Sequence, residues 1–262
     1  MAVQNGHPVF YTTHNIKAAD TIGTDEVWPG GTLGLSLTGT NQTLGMWDVA
    51  AVRTAHVEFA QGVLSRVMIG DAYTNFVQYA HSTQVAGTMI AAGVNTNSKG
   101  MSFQSPLRSY RWDEDIAEMA LAATSNDLRV SNHSYGLNTG WNIIELGGYY
   151  YWIWYGDIFV NSLEDYFFGF YSTNHSRLID QTVYEASTYL PVWSAGNEAG
   201  GYNLGPATQP AYHLIVITNT LYETTNMVHY GDGYPNGYDL IPPQGTAKNV
   251  LTVGAVSNVA GG

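Results

Sequence analysis

The sequence predicts an α/β fold, a mostly parallel sheet with helices on both faces. Three observations carry that expectation. Short apolar runs of strand length alternate with longer stretches whose apolar residues recur at helical spacing. Two of the helical stretches lead directly into strand-like runs, the order that builds parallel sheets. Finally, 45% of the 262 residues are apolar, enough to bury a substantial core.

Residues 1–40 read as an irregular lead-in, closing with the turn-rich Trp28-Pro29-Gly30-Gly31 and the Gly/Leu stretch at 33–39. Leu44-Gly45-Met46-Trp47 is a buried strand ending at Asp48. From His81 to Ala92 the spacing of Val85, Ala86, Met89 and Ile90 predicts a helix, with Gly87 admitting a close neighbour. Residues 113–124 open on acids, which favour the positive end of a helix, and place Ile116, Met119, Ala120 and Ala123 on one face. A strand over 128–133 should follow. A further helix at 174–187, carrying Leu178, Ile179, Val183 and Ala186, leads into a strand at 189–193. The last buried strand is expected within 249–256. The domain expected to hold these elements is 41–262.

Charge narrows the function classes. Nine Lys and Arg against 21 Asp and Glu give a net charge of -12. Nucleic-acid binding needs a basic surface that displaces counterions, and anionic membranes attract basic ones, so neither partner is expected. With no cysteine, disulfide frameworks, thiolate zinc sites and thiol nucleophiles are excluded. No run approaches the length of a membrane span, and the first residues lack a basic-then-apolar signal, so no signal peptide is expected in this chain.

In parallel sheets, chemistry collects at the carboxyl ends of the strands. Asp48, Ser134 and Asn197 each follow a predicted strand, and His81 opens a helix. Three segments together resemble the subtilases, the subtilisin-like serine peptidases: Gly45-Met46-Trp47-Asp48, His81-Ser82-Thr83-Gln84-Val85-Ala86-Gly87-Thr88 and Trp193-Ser194-Ala195-Gly196-Asn197-Glu198. The second is similar to the family's His-Gly-Thr-His-Val-Ala-Gly-Thr and the third to its Ala-Ala-Gly-Asn-Glu. Ser134-Tyr135-Gly136 is similar to the family's substrate strand.

The resemblance implies a subtilisin-like three-layer domain and an endopeptidase working through an acyl-enzyme. His81 would be the general base, Asp48 would fix its tautomer, and Asn197 would donate to the oxyanion. Ser134, Tyr135 and Gly136 would pair with an extended peptide, while Ser194, Ala195 and Gly196 would border a side-chain pocket. A peptide or protein is the implied substrate, and a secreted bacterial location the implied setting. No cofactor is required for the chemistry.

The sequence departs from the pattern at several positions. Val49-Ala50 follow the aspartate where a small or hydroxylated residue and then a glycine are usual. Ser82 stands where the family has glycine, crowding the approach to His81, and Gln84 replaces a second, non-catalytic histidine. No Gly-Thr-Ser occurs in the 262 residues. The expectation is therefore an amino-terminal portion of the domain, incomplete at its carboxyl end and inactive alone. Its nucleophilic serine would lie outside this chain, on a continuation or a complementary carboxyl-terminal fragment, and apolar surface would lie exposed where that segment packs. The rival reading is a non-catalytic protein- or glycan-binding pseudo-peptidase on the same scaffold.

Structural calcium is compatible with two polar turns, giving Asn97 and Asp232 as candidate ligands beside the plainer reading of ordinary loops. His56-Val57-Glu58 mimics the start of a zinc deaminase signature but lacks the cysteines that complete it. The aromatic run 149–155 either lines a cleft or packs as an insertion.

Overall fold

A computed structural model describes residues 2–4, 7–9, 15–71, 80–125, 128–138, 141–146, 148–154, 171–197, 211–215, 220–224 and 241–257. The chain forms two compact units, Met1–Ser134 with Ala255–Gly262, and Tyr135–Gly254. Its architecture is α/β, with parallel strands and intervening helices as the alternating pattern predicts.

The first unit contains the hairpin β1 (Ala2–Gln4) and β2 (His7–Val9), helix α1 (Asn15–Thr21), strand β3 (Leu44–Asp48) and a second hairpin, β4 (Ala60–Gln61) with β5 (Leu64–Ser65). Strand β6 (Val67–Ile69), helix α2 (Ala80–Ile90), strand β7 (Leu107–Arg111), helix α3 (Asp115–Ser125) and strand β8 (Val130–His133) follow. Four of these strands run parallel in the order β8, β3, β7, β6. β3 is buried from Gly45 to Asp48, as a strand between two parallel neighbours should be. Gly45 is obligatory there: a Cβ would sit 2.6 Å from Leu128 Cδ2 and 2.9 Å from the Trp47 ring.

Helix α2 turns Ser82, Ala86 and Ile90 inward, one residue per turn along a single face. Ala86 and Ile90 join Met46, Val52, Phe59, Val67 and Leu107 in the core. The far end of α2 is closed by Arg66, a buried guanidinium that donates to the carbonyls of Ile90 (2.6 Å), Glu58 (2.9 Å) and Ser105 (2.9 Å). The close neighbour expected at Gly87 is instead accommodated by Gly100, where a Cβ would stand 2.4 Å from Ala91 N. A Cβ on Gly87 would meet nothing within 4 Å.

The stretch read as an irregular lead-in contains α1, and side chains anchor it. Asn15 Nδ2 donates to Ser98 O at 3.0 Å, and Trp28 Nε1 to Met101 O at 3.0 Å. Lys99 Nζ lies 4.3 Å from the Trp28 ring centre and 3.8 Å from that of Phe103. α1 escapes sequence reading because it is short and buries only Asn15 and Ala19.

The second unit contains β9 (Trp141–Leu146), β10 (Tyr149–Trp154), helix α4 (Ser176–Glu185), β11 (Leu190–Ser194), β12 (Ala211–Ile215), β13 (Thr220–Thr224) and β14 (Leu251–Val253). β13, β12, β10 and β9 form a four-stranded sheet in that order, so six residues of the aromatic run are a strand. β11 and β14 pair in parallel. On α4, Asp180 is buried and accepts from Asn249 N (2.8 Å) and the Tyr171 hydroxyl (2.9 Å), which fastens the approach to β14. No helix among the described residues is long and apolar enough to cross a membrane.

Candidate active site

Strand β3 delivers Asp48 to its carboxyl end, fully buried, and α2 begins one residue before His81. The two meet: His81 Nδ1 lies 2.8 Å from Asp48 Oδ1. The imidazole is half exposed while the carboxylate is enclosed, 49% against 1% of each side chain. Asp48 Oδ1 also accepts from its neighbour's backbone, Val49 N (2.7 Å), and from the Ser82 hydroxyl (2.8 Å). Oδ2 is buried without a hydrogen-bond partner among the described residues. Chemically, this is an imidazole held by one nitrogen with the ring reaching solvent, the arrangement of a general base with its orienting acid.

Ser82 does not crowd this approach. Its side chain is fully buried on the opposite side of the helix turn from solvent, bonded to Asp48 and accepting from Ala50 N at 3.3 Å. Sequence reasoning missed that role because the hydroxyl's partners are distant in the chain.

An aromatic stack supports the aspartate. Strand register sets Trp47 beside Tyr110 on β7 and His133 on β8. The Trp47 ring stacks on Tyr110 at 4.3 Å and 6°, and on His133 at 5.2 Å and 10°. Gly70 leaves room for this, since a Cβ there would come within 2.1 Å of the Tyr110 ring. Trp47 Nε1 donates to Glu118 Oε2 at 3.0 Å.

Two groups around the stack titrate abnormally. Burial pushes Glu118 up to about 7; the Trp47 N–H opposes the shift, and the charge and hydrogen bond of Asp71 and the charge of Asp115 add to it. Burial alone drives His133 down to about 3, so it stays neutral, its Nε2 2.7 Å from Ser131 Oγ. Their effects on folding have opposite signs. Glu118 holds its proton more tightly when folded, so its contribution is full below the usual carboxylate value and is lost as pH rises through about 7. His133 resists protonation when folded, so its contribution is full above the usual histidine value and is lost as pH falls toward 3. In mildly acidic solution the two slopes cancel. Because Glu118 is only partly buried, solvent screening discounts the linkage, and Glu118→Gln should gain about 1–2 kcal/mol relative to the wild type between pH 4.5 and 7.5. Urea midpoints at those two pH values test this; a constant difference would contradict the assignment.

The other predicted site residues are placed as follows. Ser134 belongs to the first unit, where its hydroxyl accepts from Asn132 Nδ2 (2.9 Å). Tyr135, Gly136, Ser194, Ala195, Gly196 and Asn197 belong to the second. There the Tyr135 ring meets Trp193 edge-on at 5.2 Å, and Trp193 Nε1 donates to Tyr135 O at 2.7 Å. Gly136 is backed by Pro242, whose Cγ would be 2.8 Å from an added Cβ. β11 ends at Ser194, and Ala195 N donates to Val253 O at 2.9 Å. Gly196 takes φ +90°, a turn that leaves Asn197 exposed. Among the described residues, then, the structure brings Asp48 and His81 together and adds Ser82.

The candidate calcium ligands divide. Asp232 lies outside the described residues. Asn97 is exposed, and its N–H donates to Asn95 Oδ1 at 3.1 Å. That loop is organised by Glu58, whose carboxylate accepts from Gly93 N (2.8 Å), Val94 N (2.9 Å) and Asn95 N (2.8 Å). Three N–H groups of this loop thus converge on the Glu58 carboxylate. No group of three or more His, Asp or Glu that could hold a metal ion occurs among the described residues.

Comparison with known proteins agrees with the motif reading. The sequence profile of the subtilase family matches residues 70–261. No curated protein matches the sequence. Among solved structures, the CspB protease of Clostridium perfringens is similar at 17% identity and a TM-score of 0.46, over 72% of this chain and 42% of its own. The MycP3 protease from the type VII (ESX-3) secretion system is similar at 16% identity and a TM-score of 0.47, over 98% of this chain and 62% of its own. The chain thus spans less than two thirds of either protein's length.

Proposed function

We propose, from the premise that this chain belongs to the subtilase family of serine peptidases, that it contributes the base, the orienting acid and the oxyanion donor of a peptide-cleaving site. The observation that carries the proposal is the 2.8 Å contact between His81 Nδ1 and a buried carboxylate at a parallel strand's carboxyl end. With Nδ1 engaged, Nε2 is the nitrogen that takes a proton from a serine hydroxyl as its oxygen attacks the scissile carbonyl. The proton then passes to the leaving amine, and water, deprotonated by the same nitrogen, hydrolyses the acyl-enzyme. Asp48 keeps the proton on Nδ1 and stabilises the imidazolium. Asn197, exposed beyond β11, would donate its amide to the oxyanion.

The serine would come from residues outside these 262, which contain no Gly-Thr-Ser. Support comes from β14, where Leu251 and Val253 are 51% and 48% exposed, an apolar edge suited to a further packed segment. The substrate would be an extended peptide of a secreted, extracellular setting, and the chemistry needs no cofactor.

Fluorophosphonate labelling of the natural full-length protein tests the proposal. The expected result is one labelled serine beyond this sequence, with labelling abolished by His81→Ala. Absence of label in the folded full-length protein, with all copurifying chains present, would overturn it.

A further inference from the structure

Ser82 is fully buried, sits next to His81, and joins two elements through one oxygen. Its hydroxyl donates to Asp48 Oδ1 at 2.8 Å and accepts from Ala50 N at 3.3 Å. The same Oδ1 faces His81 Nδ1 at 2.8 Å. We infer that Ser82 is a positioning residue, whose hydroxyl fixes the rotation of the Asp48 carboxylate so that Oδ1 meets the imidazole. The inference rests on the peptidase reading of the Asp48–His81 pair.

A carboxylate on a strand end can rotate about its last torsion, which is broad and roughly two-fold. Val49 N constrains Oδ1 from the backbone side alone. A second donor, from the helix that carries His81, ties the carboxylate to the same rigid body as its partner. Both groups then move together, and near-attack geometry depends on that kind of support. A buried hydroxyl bonded to a charged oxygen is also among the stronger neutral-to-ion hydrogen bonds.

Thr83 supplies an internal control. Its Oγ1 accepts from Arg53 N at 3.0 Å, so it also ties the loop after β3 to α2, but through a different backbone group. If Ser82 merely docks the loop, removing either hydroxyl should act alike. If it positions the carboxylate, only Ser82 should matter to the imidazole.

The test uses the natural full-length protein with ¹⁵N-labelled histidine, reading the ring nitrogens of His81 at a pH where the imidazole is neutral. The wild type should show one dominant tautomer, with the proton on Nδ1 and slow exchange. Ser82→Ala should fold and reduce the Nδ1–H preference about fivefold to tenfold. Thr83→Val should leave it unchanged. An unchanged tautomer ratio in folded Ser82→Ala, or equal loss in both variants, would overturn the inference. Failure of the underlying pair looks different: Asp48→Ala would then leave the wild-type tautomer ratio untouched. Should Ser82→Ala not fold, Ser82→Cys, which keeps a weaker donor, must give a ratio between those of the wild type and Asp48→Ala for the inference to stand.

Discussion

Replacing Trp47 with alanine should cost about 3–5 kcal/mol of folding stability, the range for removing a large buried aromatic side chain. Trp47 is fully buried and contacts two ring systems and a carboxylate of the first unit. Its loss would open the space between Tyr110 and His133, which stack on its two faces, and take away the N–H that Glu118 accepts. Neither neighbour can close the gap, because each is fixed by its own strand register. Trp47→Phe separates the two contributions: it keeps an aromatic face and loses the indole donor, so it should cost far less. Urea unfolding at neutral pH measures both. A loss below about 1 kcal/mol in the alanine variant would show that the stack is an incidental neighbour arrangement rather than a packed unit.

The second large effect concerns activity. If the proposed mechanism holds in the full-length protein, Asp48→Asn should lower kcat by about 10³- to 10⁴-fold with the fold preserved, the size seen when the orienting acid of a serine-protease triad loses its charge. The reason is local to Oδ1, where Val49 N, Ser82 Oγ and His81 Nδ1 converge. An amide oxygen can keep those contacts, but it lacks the charge that stabilises the imidazolium, and an amide nitrogen in its place would meet three donors. KM should move little, because the carboxylate is fully buried. Steady-state kinetics with a peptide substrate, alongside circular dichroism, measure it. A kcat within tenfold of the wild type would remove Asp48 from the mechanism.

Much of this was legible in the sequence, for physical reasons that differ by element. β3 and β11 announce themselves as apolar runs, and α3 through its acidic first turn, because burial and helix electrostatics act over neighbouring residues. The Asp48–His81 pair was reachable only because both lie in segments resembling subtilase motifs. β7 was not found: it buries Leu107, Ser109 and Tyr110 but alternates them with Arg108 and Arg111, so its polarity masks its place among parallel strands. β6 is three residues long and leaves no period to read. Ser82 appeared as a departure from a glycine, and its meaning emerged only once Asp48 and Ala50 were placed around it. Glu118 draws no notice in the sequence, because its raised proton affinity comes from burial in the fold and from Asp71, with the Trp47 N–H opposing it.

Helix α2 is held at both tips. Its first turn is clasped to β3 through Asp48, and its last carbonyl, on Ile90, is gripped by the Arg66 guanidinium. Eleven residues make a rod about 16 Å long. Such a rod transmits a tilt: loosening the Arg66 end by a degree or two sweeps the imidazole end by a few tenths of an ångström, with the core as fulcrum. The placement of His81 therefore depends in part on a guanidinium a full helix length away from it.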